Sequence, residues 1–223
     1  MLKKHRFEMA ARERPLLPLA GFIFSFALAS FGVAFLVDRG AVRWPFQGTT
    51  SVGETYVNAA VYSPVALFAL FSLVWPRAAG LSVAEAFRLK RFSWIFLIAL
   101  IISGGRSFYM LKSSPLALKG LAFWPPVAIL SAINAFSEET IYRLSFLSLL
   151  KKALKTGLFP NVIQSALYSL THIPVGGLKL ALLALCYGLL MGTVMERDRS
   201  VIPCIICHFA IDIGYVGLPL LSL

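Results

Sequence analysis

Residues 125–150 read PPVAILSAINAFSEETIYRLSFLSLL, an apolar run interrupted by Glu138, Glu139 and Arg143. The flanks on both sides have the composition of a hydrocarbon-facing helix. An ionisable residue inside a membrane span costs a few kcal/mol or more, so charges at that depth mark function and need partners. The reading of the chain therefore turns on whether the rest of it is membrane-spanning, and on where partners for these three charges lie.

Composition answers the first question. With 58% hydrophobic and 14% charged residues, and a mean hydropathy of +0.79, the 223-residue chain lies outside the range of soluble globular proteins. The expected class is an all-α, polytopic transmembrane helical bundle. A net charge of +11 would point to nucleic acid in a soluble chain. Here the basic residues form short clusters between apolar stretches, a pattern set by membrane topology, which argues against a nucleic-acid partner. Cys186, Cys204 and Cys207 fall in apolar runs, where they pack as small hydrophobes rather than as a disulfide scaffold.

Seven spans are expected, with six or eight as alternatives. The first, Leu16 to Val37, follows a basic leader and is too long for a signal-peptide core, so it is read as uncleaved. The others run from about Tyr56 to Trp75, Phe92 to Met110, Pro125 to Leu150, Pro160 to Pro174, Leu178 to Met195, and Val201 to Leu220. One integral membrane domain is expected, with N-terminal spans over 1–124 and a motif-bearing core over 125–223. With the N-terminus in the cytoplasm, fourteen basic residues fall inside and six outside, while Arg143 stays within the membrane. That balance favours a cytoplasmic N-terminus and an odd number of spans.

Partners for the acids lie on two further helices. Glu139 and Arg143 are four apart and share a helix face, so they can pair. Glu138 is turned about 100° away by the helix period and is free to act. Asn134, one turn before Glu138, and Ser131 extend a polar stripe. The fifth span carries Gln164, Tyr168 and His172 at successive steps of four, and the seventh carries His208 and Asp212 four apart. Measured from the cytoplasmic charges at about 1.5 Å per residue, Glu138, His172, His208 and Asp212 all lie roughly 13 to 21 Å deep. One buried histidine is ordinarily an interhelical hydrogen-bonding group. Acids and histidines from three helices at one depth point instead to a functional site.

These residues resemble a known family. Glu-Glu-x-x-x-Arg (Glu138, Glu139, Arg143), aromatic-x-x-x-His (Tyr168, His172) and His-x-x-x-Asp (His208, Asp212), in that order on three apolar helices, are similar to the motifs of the CPBP intramembrane proteases. That family includes the type II CAAX prenyl endopeptidases and bacterial Abi proteins. The resemblance covers about residues 125 to 215. Two positions depart from the pattern: Tyr168 stands where Phe is usual, and Asp212 where the prenyl endopeptidases favour Asn. An ionised aspartate accepts hydrogen bonds and cannot donate them.

The resemblance implies an intramembrane endopeptidase of a bacterial or archaeal plasma membrane, acting on a membrane-embedded or lipid-anchored protein. Glu138 and His172 would hold and deprotonate the water, and His208 with Asp212 would bind the oxyanion or complete the site. Glu139, Arg143, Tyr168 and Asn134 would support them. No cofactor is needed for that scheme, but His172, His208 and Glu138 would also make a three-ligand set for a divalent metal such as Zn, with one position left for water. Both chemistries stay open, and a metal-independent water activated by Glu138 with His172 is the preferred one.

Three other readings compete. Cys204-Ile-Ile-Cys207-His208 matches the c-type haem attachment pattern, which requires exposure on the outer side and sits here inside a span. A transporter or proton relay also buries acids and histidines, but would show inverted repeats and interrupted helices in two halves. A catalytically silent immunity or scaffold protein of the same fold stays open as an alternative, while the retained acids, both histidines and the arginine favour an active enzyme.

Overall fold

A computed structural model describes residues 16–38, 63–89, 92–112, 124–154 and 157–221, with the isolated positions 53, 56 and 122. Every regular element among them is helical. In chain order these are α1 (Leu16–Asp38), α2 (Ser63–Ser72), α3 (Val74–Ala78), α4 (Val83–Ala86), α5 (Trp94–Lys112), α6 (Trp124–Glu138), a π-helical segment (Glu139–Phe146), α7 (Leu147–Leu154), α8 (Phe159–Thr171), α9 (Ile173–Asp198) and α10 (Ile202–Leu221). The basic leader, the start of the second expected span, and Arg39, Arg43, Lys90, Arg91, Lys119 and Lys155 lie outside the described residues.

Among the described residues two helices, Trp94–Lys112 and Gly176–Asp198, are long and apolar enough to cross a membrane. Large apolar side chains face outward along the bundle: Phe24, Phe31 and Leu17 on α1, and Ile101 and Phe108 on α5. A water-facing surface would not carry such continuous apolar stripes, whereas lipid accepts them. The Gly104-Gly105 pair, expected to blur the end of the third span, does not interrupt α5. The boundary between the fifth and sixth spans is set differently. α8 ends at Thr171, His172 is the junction, and the chain stays tightly coiled until Gly176 and Gly177 break it, Gly177 at φ 65°. Only glycine adopts that conformation freely, so the long straight part of α9 starts near the expected Leu178.

The central helix differs from the expectation in a way that matters. A plain α-helix was expected over Pro125 to Leu150, but eight residues inside it wind as a π-helix, whose end is marked by the Leu147 N–H donating to the Tyr142 carbonyl five residues back. All eight, Glu139 through Phe146, are buried. They separate two apolar clusters. Leu144 and Leu147 join Phe96, Met191, Val194, Cys204 and Cys207 on one side. On the other, Ile141, Tyr142, Phe146 and Leu149 join Phe22, Ala69 and Tyr168. A wider turn lets one helix present side chains to neighbours all around it, which is where π-segments are found in functional helices.

The N-terminal helices are fastened to this segment. Phe22 of α1 stacks on Phe146 with ring centroids 5.2 Å apart, and Phe26 meets Tyr142 edge-on at 5.9 Å. The Ser145 hydroxyl donates to the Ser72 carbonyl at 2.9 Å, where α2 breaks at Leu73 before α3. At one end of the bundle Asp198 accepts the Ser93 N–H at 3.1 Å and the Val201 N–H donates to the Ala86 carbonyl at 2.9 Å, tying α4 and α5 to the α9–α10 turn. α5 and α10 approach closely: a Cβ added to Gly214 would lie 2.6 Å from the Ser107 Cα.

Candidate active site

The site is centred on His208, buried on α10. Its Nδ1 is 2.6 Å from Glu139 Oε1. A carboxylate only accepts, so Nδ1 carries the proton in that bond and Nε2 faces the other way. Around Nε2 stand Glu138 Oε2 at 3.6 Å and Asp212 Oδ1 at 3.6 Å. Both distances exceed a direct hydrogen bond and lie within ion-pair range. Glu138 Oε2 has no hydrogen-bond partner among the described residues, although the side chain is only 20% exposed. Asp212 is held from the other side: Asn134 Nδ2 donates to its Oδ2 at 2.9 Å across the α6–α10 contact.

Glu139 also meets Arg143, Nε to Oε2 at 3.2 Å, both side chains fully buried. The contact is an ion pair without hydrogen-bond alignment, since Arg143 Nε and both of its terminal nitrogens lack hydrogen-bond partners among the described residues. The guanidinium lies over the Tyr168 ring instead, its carbon 4.2 Å from the centroid. Burial of this kind strengthens a cation–π contact, because no water competes for the charge.

Tyr168 is the plate on which the site is assembled. His172 packs against it with centroids 4.5 Å apart, and His208 stands edge-on to it at 6.4 Å. The two imidazoles therefore lie no farther apart than the sum of those distances. The His172 Nδ1 is 2.8 Å from the Tyr168 carbonyl. A carbonyl only accepts, so Nδ1–H is the donor and a neutral His172 keeps its lone pair on Nε2. Tyr142 closes the plate, edge-on to Tyr168 at 5.1 Å, with its hydroxyl 3.1 Å from Thr171 Oγ1.

Of the residues expected from the motifs, Asn134, Glu138, Glu139, Arg143, Tyr168, His208 and Asp212 form one connected cluster, with His172 joined to it through Tyr168. Two relations differ from the reading of spacing alone. Glu139 serves His208 as well as Arg143, and the carboxylate of Glu138 is within ion-pair distance of His208 rather than of His172. Glu139 and Glu138 thus stand at opposite nitrogens of one ring. Among the described residues no three His, Cys, Asp or Glu side chains are grouped to hold a metal ion. The haem-like cysteines are buried and free, with Cys204 donating to the Met191 carbonyl. Gln164 faces α9 and not the site, donating to the Gly188 carbonyl at 3.1 Å.

Tyr187 and Ser103 had no signal in the motifs. Tyr187 packs edge-on to His208 at 5.9 Å, and its hydroxyl is 3.1 Å from the Ser103 Oγ of α5. A tyrosine in an apolar run reads as packing, and only the three-dimensional contact distinguishes it.

The stretch that carries all three motifs coincides with a known family: the family model described as type II CAAX prenyl endopeptidase Rce1-like matches residues 120–214. This chain carries an Rce1-like domain. No curated protein and no solved structure gave a match. The Rce1-like domain contains every residue of the His208 cluster, from Asn134 to Asp212, and leaves α1 to α5 outside it. Together with its apolar helices, it makes the protein an integral membrane protein with a domain of the CAAX protease family.

Proposed function

We propose that the protein is an intramembrane endopeptidase that hydrolyses a peptide bond in a membrane-embedded or lipid-anchored, prenylated-type protein. The observation that carries the proposal is the Glu138 carboxylate, one oxygen of which is buried without a partner 3.6 Å from His208 Nε2. A buried acid with an uncommitted oxygen is suited to accept a proton from water, because nothing else competes for its lone pairs.

In this mechanism Glu138 takes a proton from the water while His172 Nε2 helps to orient it. The resulting hydroxide attacks the scissile carbonyl carbon, and the carbonyl oxygen takes up the electron pair. His208 faces the charge that forms there. Glu138 then returns the proton to the leaving nitrogen as the C–N bond breaks. Glu139 and Arg143 hold the ring of His208 and balance charge in a region without water. We read the chain as one multi-pass domain of a bacterial or archaeal plasma membrane, with its N-terminus in the cytoplasm.

The test is cleavage of lipidated and transmembrane peptides by protein purified in detergent, with Glu138→Gln and His172→Ala beside wild type, each with and without chelator. Cleavage by wild type, lost in both folded variants, supports the proposal, and the chelator series separates metal-dependent from carboxylate chemistry. Variants as active as wild type would overturn the assignment of the base.

A further inference from the structure

The cluster around His208 Nε2 is rich in acceptors and poor in donors. Glu138 and Asp212 contribute carboxylates there, while Glu139 and the Arg143 it pairs with lie at the Nδ1 side, and an ionised carboxylate cannot donate a hydrogen bond. Peptide hydrolysis builds negative charge on the carbonyl oxygen, and such a charge is stabilised by fixed N–H donors, each of which contributes strongly. Asp212, the side chain facing Nε2 from α10, is therefore the wrong chemical type for that task.

Asn134 is the right type. It is 7% exposed, it lies one helical turn before Glu138 on α6, and its Nδ2 is 2.9 Å from Asp212 Oδ2. Because the carboxylate accepts, the nitrogen of the amide must be the end that faces it, and one of the two N–H groups is used there. The hydrogen bonds of the described residues assign no partner to the second. The two N–H groups of an amide are coplanar and fixed relative to each other, so anchoring one on a carboxylate limits where the other can lie. Asp212 thus acts as a clamp for an amide that adjoins the attacking base.

We propose that Asn134 is a catalytic residue: its free N–H donates to the carbonyl oxygen of the scissile bond as charge develops, with Asp212 as the positioning residue that holds the amide. This deepens the protease reading and rests on it. The amide and the carboxylate form one unit split across two helices, and the unit would also work with its halves exchanged.

The experiment compares wild type, Glu138→Gln, Asn134→Asp and the double exchange Asn134→Asp/Asp212→Asn in one cleavage assay, with melting temperature recorded for each. It also measures binding of a peptidyl phosphinate, whose tetrahedral oxygens mimic the charged intermediate. Asn134→Asp is expected to lower kcat about 100- to 1000-fold with KM within about threefold, the size of effect that follows loss of one oxyanion donor. Phosphinate affinity should fall in parallel, and the double exchange should recover at least about tenfold of kcat while keeping an amide–carboxylate bond that supports folding. Asn134→Asp within twofold of wild type, or a double exchange no better than the single variant, would overturn the inference. If Glu138→Gln is inactive while Asn134→Asp is fully active, only this inference falls. If Glu138→Gln cleaves like wild type, or wild type cleaves nothing, the protease reading falls with it.

Discussion

The seam between α8 and α9 and the cluster around His208 both bury amides and hydroxyls at helix contacts, but they satisfy them differently. In the seam, Gln164 donates to Asn161 at 2.9 Å, to Ser165 and to the Gly188 carbonyl, while Asn161 donates to the Leu189 carbonyl at 3.1 Å. Gly188 and Gly192 lie beneath this network. A Cβ on Gly192 would fall 1.9 Å from Asn161 Oδ1, and one on Gly188 would fall 3.0 Å from the Ser165 Cβ. The seam leaves Gln164 Oε1 without a partner, whereas around His208 Glu138 Oε2, Thr140 Oγ1 and all three Arg143 nitrogens lack hydrogen-bond partners among the described residues. A buried group left unpaired costs about 1–3 kcal/mol, more if charged. The seam is arranged for adhesion, and the cluster keeps more of its polar atoms uncommitted.

The comparison is sharpest at Glu138, where activity and stability should separate. Glu138→Gln is expected to lower turnover by about 10²–10⁴, the usual contribution of a general base, while the melting temperature in detergent stays near that of wild type. A large loss of stability instead would show that the oxygen without a partner supports the fold. Arg143→Leu should act in the opposite way. It leaves the buried Glu139 charge with His208 as its one remaining partner, a change that costs up to about 3–5 kcal/mol, and thermal unfolding would register it as a lower melting temperature.

In the seam, Gly192→Val should destabilise by about 1–3 kcal/mol through overpacking against Asn161, with turnover per folded molecule unchanged. A fall in turnover at constant stability would mean that the seam is part of the catalytic apparatus and would remove the contrast. Gln164→Leu should cost less, about 1–2 kcal/mol, because the leucine removes a hydrogen-bonding hub without leaving a hole. The smallest effect is expected for Ser103→Ala, about 0.5–1.5 kcal/mol at most, since Tyr187 keeps its packing on His208 when its hydroxyl loses one partner. Chemical denaturation in mixed micelles would resolve the order of these three.

The helices themselves were legible because apolar runs of span length alternate with basic clusters, and α1 and α5 lie where hydropathy puts them. The motif residues were legible for a different reason: Glu138, His172, His208 and Asp212 cost too much in a span to be there without cause. The relations between them were not. A helical wheel at 100° per residue separates Glu138 from Glu139, yet both side chains reach His208, one at each ring nitrogen, and the π-winding from Glu139 to Phe146 leaves no mark in the sequence. Which amide meets which carboxylate, as with Asn134 and Asp212, depends on the register of two helices 78 residues apart in sequence. Nothing local encodes it.

The fastening of α1 to α3 onto the central helix has a consequence for how this protein can be divided. The recognisable segment begins at residue 120, yet Phe146, Ser145 and Tyr142 inside it are covered by Phe22, Ser72 and Phe26, which precede it. Lys152 likewise donates to the Ala78 carbonyl at 2.6 Å. A fragment excised at that boundary would bare the back of its own central helix to lipid, so the module that a motif search recovers is smaller than the unit that can stand alone.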